Sequence, residues 1–320
     1  MARQARKRIG AAIAARGAYC ELGDLLRLRS VAGTLKLSPA SRAISQLSGP
    51  VKSNFRGRGI EFEEVRCYEP GDDVRNIDWR VTARTGTAHT KMFREERERP
   101  VYILVDQRPG MFFGSRETLK SVQAVHAAAL LAWSTLAGGD RVGGLVLGDG
   151  EHHEIRPRRS RRAVMELLRL CHDFNARLGA QTQRPVAEPS ALGGALATMR
   201  RVVRPGSLVF VLSDFADWDE NAERQIHLLA RHAEIAAICV TDPLEIELPA
   251  GGRCSVSDGR LRRELDLRDA TLRQRYHEHF LLEQQRLRGS LRRIGAPLIT
   301  LTTADSALDT LARFYRGGRV

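Results

Sequence analysis

From residue 100 onward the chain alternates short apolar runs with longer segments whose apolar positions recur at helical spacing. Residues 100–106 form a continuous apolar run ending in Asp106. Such a run predicts a strand buried on both faces, as in a parallel sheet. Residues 117–136 are rich in Ala and Leu and predict a long buried helix. A second strand is expected at 140–147, with an edge strand at 152–156 beside it. Helices follow at 161–174 and 190–201, separated by a loop at 180–189. Residues 207–214 repeat the opening pattern, an apolar strand ending in Asp214. The remainder predicts a helix at 220–231, a strand at 234–241 and a hairpin at 252–265 turning at Asp258-Gly259. A long charged helix at 267–294, a strand at 297–302 and a helix at 306–315 complete the order. This alternation predicts an α/β fold, a doubly wound, mostly parallel sheet with helices on both faces. Ligands of such sheets bind at the carboxyl ends of the strands, where Asp106 and Asp214 stand.

The first third of the chain reads differently. Residues 1–17 are basic and Ala-rich. Between Tyr19 and Arg29, Leu22, Leu25, Leu26 and Leu28 recur at helical spacing. Residues 49–58 read as a linker. Residues 61–68 and 87–95 predict two strands flanking a short helix, which makes a small β-rich module. The expected organisation is a basic arm at 1–58, the module at 59–98 and the sheet domain at 99–318. Charge sharpens this division. The net charge is +13, and residues 1–58 hold 12 Lys/Arg against only Glu21 and Asp24. The body is nearly neutral, and the arm is expected to be separable from the fold. It is suited to an acidic protein, nucleic acid or anionic lipid, or to a solubilising or intramolecular packing role. No basic patch interleaved with aromatics points to base stacking, so nucleic acid is not the favoured partner, while peripheral membrane contact stays open.

With 42% hydrophobic residues, the 320-residue chain can build a sizeable core. No apolar run approaches the roughly 20 residues of a membrane span. The N-terminus is too polar for a secretory signal, so the expected location is the cytoplasm. Cys20, Cys67, Cys171, Cys239 and Cys254 are scattered with no C-x-x-C, which argues against zinc and a disulfide framework. No phosphate loop and no G-x-S-x-G elbow occurs. His277 and His279 are two apart and do not share a helix face. No catalytic set emerges, and the chain is expected not to be an enzyme.

The segment 58–79 is dense in charge around Pro70-Gly71, which forces a turn. Asp72 or Asp73 is placed to cap a short helix carrying Val74, Ile77 and Val81. Arg66, Arg75, Asp73 and Asp78 are expected to interlock. Together with Tyr68, Gly71, Asp72 and Trp79, this stretch resembles the signature of the bacterial domain-of-unknown-function-58 family. The likeness continues through Ala83-Arg84-Thr85-Gly86, Phe93-Arg94-Glu95-Glu96-Arg97 and Val101 to Asp106.

That resemblance implies a von Willebrand factor A-like sheet domain with the β-rich module before its first strand. It also implies a metal-ion-dependent adhesion site, in which an Asp-x-Ser-x-Ser loop, a Thr and a further Asp hold Mg²⁺ for docking a partner carboxylate. Here Asp106 stands in the first position, Arg108 and Gly110 replace the two Ser, Ser190 is the candidate for the Thr, and Asp214 matches the last Asp. The loss of two hydroxyls and the added cation argue against tight Mg²⁺ binding. No cofactor is expected; any metal would fall to Asp106 and Asp214. The expectation is that Arg108 pairs with Asp106 or Asp214 and takes the metal's place. Relatives of this kind are associated with MoxR-type AAA+ ATPases. The implied function is therefore an adaptor in chaperone-like remodelling, with a nucleic-acid or anionic-membrane module built on the basic arm as the alternative.

Overall fold

The computed structural model describes residues 14–35, 37, 60–69, 72, 74–95, 98–179, 190–257 and 262–317. The chain divides into two compact units, Gly49–Glu98 and the remainder.

In the larger unit, the N-terminal residues form two short helices, α1 (Leu22–Arg27) and α2 (Arg29–Ala32). In the smaller unit, β1 (Ile60–Cys67) and β2 (His89–Glu95) pair antiparallel. Between them lie a one-turn 3₁₀ helix, Val74–Asn76, and helix α3 (Trp79–Thr85).

The larger unit is built on a six-stranded sheet in the order β10-β7-β6-β3-β4-β5. Its strands are β3 (Pro100–Asp106), β4 (Arg141–Leu147), β5 (His152–Arg158), β6 (Ser207–Ser213), β7 (Ala233–Thr241) and β10 (Leu298–Thr302). All neighbours are parallel except the edge pair β4–β5. Helices α4 (Lys120–Ala137), α5 (Arg161–Arg177), α6 (Ala191–Val202), α7 (Glu220–Leu229), α8 (Pro243–Ile246), α9 (Ala270–Arg293) and α10 (Ala307–Gly317) surround it. A hairpin, β8 (Arg253–Ser257) with β9 (Arg262–Asp266), precedes α9.

Strand alternation divides the core. Val101, Ile103 and Val105 join α4, α5 and α10 on one face of the sheet. Tyr102 and Leu104 join α6, α7 and α9 on the other. Period-two side chains on a buried strand must find a layer on each side, and the helices supply both. At Gly144 an added Cβ would lie 2.2 Å from the Ile103 carbonyl oxygen, so only glycine lets β4 approach β3 there.

Two expectations need correction. The basic arm is not an appendage over its whole length. Leu25, Leu28 and Ala32 are buried in the same core as α4. Trp133 donates its indole N–H to the Leu25 carbonyl at 3.0 Å. Gly17 donates its N–H to Glu117 at 2.7 Å. The Cys20 N–H reaches the buried Asn175 amide, which in turn donates to Gln107. The charge surplus counted Arg and Lys; the Leu stripe between them is what decides burial. Residues 1–13 and 38–59 lie outside the described residues. A consequence follows for Leu25→Ala: a fully buried Leu truncated to Ala typically costs about 2–5 kcal/mol. A denaturant midpoint within error of wild type would show that the segment does not belong to the core.

The second correction concerns the module. Asp72 does not cap a helix containing Val74, Ile77 and Val81. Its carboxylate takes the Arg66 guanidinium at 2.7 Å and the Glu69 N–H at 3.0 Å. The cap of α3 is Asp78, whose Oδ1 accepts from the N–H of Arg80 and Val81. Val74 lies on the preceding 3₁₀ turn and is exposed. Pro70-Gly71 and Asp73 lie outside the described residues. Tyr68 continues the ladder through its N–H to the Ala88 carbonyl. Gly86 closes α3 with φ of 75°, a conformation that favours glycine. Trp79 is 71% exposed, and Arg75 is exposed on the 3₁₀ turn.

Candidate functional site

The carboxyl ends of β3 and β6 carry a cluster of buried charge. Asp106, the last residue of β3, is fully buried. Its Oδ1 accepts from the Arg108 backbone N–H at 3.0 Å and from Arg108 Nε at 2.9 Å. Its Oδ2 accepts from Arg108 Nη2 at 2.7 Å and from Ser213 Oγ at 2.6 Å. The guanidinium then forks a second time, onto Asp217, with Nη1 at 2.6 Å and Nη2 at 2.9 Å. One planar cation thus binds two carboxylates bidentately, the geometry for which Arg is suited and Lys is not.

Asp217 is positioned independently by the N–H of Leu192 at the start of α6. Burial alone would raise its pKa, but the hydrogen bond and charge of Arg108 outweigh burial and hold it below the usual carboxylate value. Burial opposes the Arg108 cation, and the two aspartates more than compensate, so its pKa is raised.

A second cation lies beside the first. Lys120, the opening residue of α4, is only 2% exposed. Its Nζ donates to Asp214 Oδ2 at 2.7 Å and to Glu245 Oε1 at 2.6 Å. Desolvation acts against the ammonium, and the two carboxylates outweigh it to raise its pKa. The Glu245 pKa is raised as well, for a different reason: burial raises it even though Lys120 acts to lower it. Glu245 also belongs to a capping box on α8. Its Oε2 accepts the Asp242 N–H, while Asp242 accepts the Leu244 N–H. Asp242 is itself fixed by the hydroxyls of Ser115 and Thr303.

The expected site residues are therefore only partly brought together. Asp106 and Arg108 pair, as a two-residue separation at a strand end allows. Asp214 does not share Arg108; its cation is Lys120. Gly110 lies over Asp214, where an added Cβ would stand 3.6 Å from Oδ2. Ser190 turns elsewhere, with its Oγ bonded to Asp219 at 3.0 Å and Asn221 at 2.8 Å. Asp217, Ser213, Lys120 and Glu245 were not singled out from the sequence. Asp217 carried one signal, as a third acid just downstream of the β6 end. Lys120 carried none, because a Lys in the first turn of a helix ordinarily faces water. Among the described residues, no group of three or more His, Cys, Asp or Glu is arranged to hold a metal ion. All five cysteines are free, and among the described residues no helix is long and apolar enough to cross a membrane.

Fold and site define an open, mostly parallel α/β sheet whose strand ends present two cation–carboxylate clusters. The chain belongs to the family described as "Protein of unknown function DUF58", which it matches over residues 64–286. Uncharacterized proteins of Mycobacterium tuberculosis and Mycobacterium bovis are each 30% identical to it over 295 residues, covering 92% of this chain and 90% of theirs. Among solved structures it is similar to a conserved hypothetical protein, BatB, from Bacteroides thetaiotaomicron, with a TM-score of 0.42 and 14% identity. That likeness covers 68% of this chain and 97% of the other.

Proposed function

We propose that this protein is a non-enzymatic docking protein that works in the cytoplasm with a MoxR-type AAA+ ATPase in chaperone-like remodelling. Its larger unit is read as a von Willebrand factor A-like domain whose metal-dependent docking position has been converted to a metal-free one. A single observation carries this reading. The Arg108 guanidinium sits across Asp106 and Asp217 at the end of β3, where such a domain would assemble oxygen ligands around Mg²⁺. The residues present do not fit that ion. Mg²⁺ demands a near-octahedral set of oxygens, whereas Arg108 faces Asp106 with a cation, Gly110 brings no oxygen, and the Ser190 hydroxyl is engaged with Asp219 and Asn221.

Reaction chemistry finds little support in the same cluster. Ser213 donates to a buried aspartate and accepts the Phe215 N–H, with no histidine in that chain of bonds. Each carboxylate pair is held on a shared cation, which suits a preorganised recognition surface better than a general base.

The test is capture of a MoxR-type ATPase from the same genome by the immobilised full-length chain, with ATP, with ADP and without nucleotide. Retention that depends on nucleotide state is expected. Absence of retention under all three conditions would refute the partnership.

A further inference from the structure

A cavity of about 250 Å³ opens beside Lys120, between the carboxyl ends of β6 and β7 and the flank of α9. Its walls are aromatic: Phe215 and Trp218 from the loop after β6, Tyr276 and Phe280 one turn apart on α9. Phe215 and Trp218 are locked edge to face, with centroids 5.8 Å apart.

The polar lining is acidic on balance. Asp214 and Glu245 share the single charge of Lys120, and Glu283 adds a third carboxylate. Glu283 pairs with Arg286, itself exposed, at 3.1 Å. Thr241 supplies the observation that points to a ligand. It lines the cavity and is 2% exposed, yet its hydroxyl has no hydrogen-bond partner. A buried hydroxyl left unpaired costs free energy unless something enters to bond it.

We propose that this cavity receives a basic side chain, Arg or Lys, from a partner protein. The inference rests on reading the strand ends as a docking face and names the chemistry of what docks there. Aromatic faces attract a cation, and the surplus carboxylate gives it a counter-charge. Its N–H groups can donate to the Thr241 oxygen. An anion would meet three carboxylates. A purely apolar group would bury Asp214 and Glu245 more deeply and leave Thr241 unpaired. The same helix also exposes Leu281 and Leu282, at 43% and 55%, apolar surface suited to a protein rather than a small amine.

The experiment is titration of the full-length chain, by NMR or calorimetry, with N-acetyl-arginine amide, N-acetyl-lysine amide and the uncharged N-acetyl-citrulline amide. The cationic probes should bind saturably, with citrulline at least about tenfold weaker, a difference near 1.4 kcal/mol. Tyr276→Ala and Glu283→Gln both spare the Lys120 cluster and should each weaken the cationic probes several-fold. Equal binding of citrulline, no saturable binding by either cation, or unchanged affinity in both variants would overturn the proposal. The chain is assayed alone, so the two ideas fail separately. Arginine binding without ATPase capture removes only the ATPase partner, whereas ATPase capture without arginine binding removes only the basic anchor.

Discussion

Arg108→Ala is expected to destabilise the protein by about 3–5 kcal/mol at neutral pH, the usual cost of removing one member of a buried ion pair. The reason is the accounting of charge: Asp106 is fully buried, Asp217 is mostly so, and Arg108 is the cation that both carboxylates bind. The effect should depend on pH with a definite sign. In the wild type, the Asp217 pKa lies below its ordinary value of 3.8. Its stabilising contribution is therefore present above about pH 4 and lost as pH falls through the depressed value. Without Arg108, burial of Asp217 is opposed by the Leu192 N–H but no longer by a cation, which shifts the balance towards the protonated acid. The variant should lose less, or gain, as pH falls from 7 towards 4. The gap between the two denaturant midpoints is then widest near neutrality and narrows in acid. A midpoint near wild type at pH 7 would mean that the fork contributes no more than an exposed pair, ~0–1 kcal/mol.

The same position tests the proposed conversion away from metal. Arg108→Ser/Gly110→Ser supplies the two hydroxyls of the adhesion-site pattern, and Gly110 has room for a Cβ at ordinary contact with Asp214. This variant should gain thermal stability with Mg²⁺, by linkage about 2.7 kcal/mol at a hundredfold excess over the dissociation constant. The wild type should gain little. Calorimetric Mg²⁺ binding to the wild type that disappears in Asp106→Ala would reverse the assignment.

Lys120→Met should be comparably damaging, about 3–5 kcal/mol. It leaves Asp214 and Glu245 on either side of the buried space the ammonium had filled, and like charges there raise each other's pKa. Neutralising one neighbour should restore much of the loss. A cycle of Lys120→Met and Asp214→Asn is expected to show a coupling within the range of about 0.5–3 kcal/mol found for contacting residues. Additive losses would show that Lys120 and Asp214 act separately. The wild-type pair should also mark the alkaline limb. The Lys120 pKa is raised above 10.5, so its contribution is complete below that value and is lost only as pH rises through the folded value.

How much of this was legible beforehand follows from range along the chain. The sheet was readable because burial of a parallel strand is written in consecutive residues. Residues 100–106 and 207–214 are apolar runs ending in acid, and they became β3 and the strand β6 with Asp214 just past its end. The longer helices of the larger unit were readable from their spacing, with α9 starting a few residues later than expected because Asp269 caps it, whereas the one-turn α8 was not expected. The Asp106–Arg108 contact was readable for the same reason: two residues separate the partners, and a strand end followed by a turn brings them together.

Asp217 is 109 residues from Arg108, and Asp214 is 94 from Lys120. No local pattern relates them. Which acid receives which cation was decided when β6 took its place beside β3 and α4 brought Lys120 to the end of β6. The N-terminal segment shows the same division. Its Leu stripe was visible in the sequence, but net charge is a sum over residues and carries no direction. Only the packing of α1 and α2 against α4 determined that the leucines face a core while the arginines remain outside. The amino-acid order by itself determined the elements and the acids at the strand ends. The tertiary structure alone decided the long-range pairing of buried charge, because such an ion pair depends on distance in space and the sheet order sets that distance.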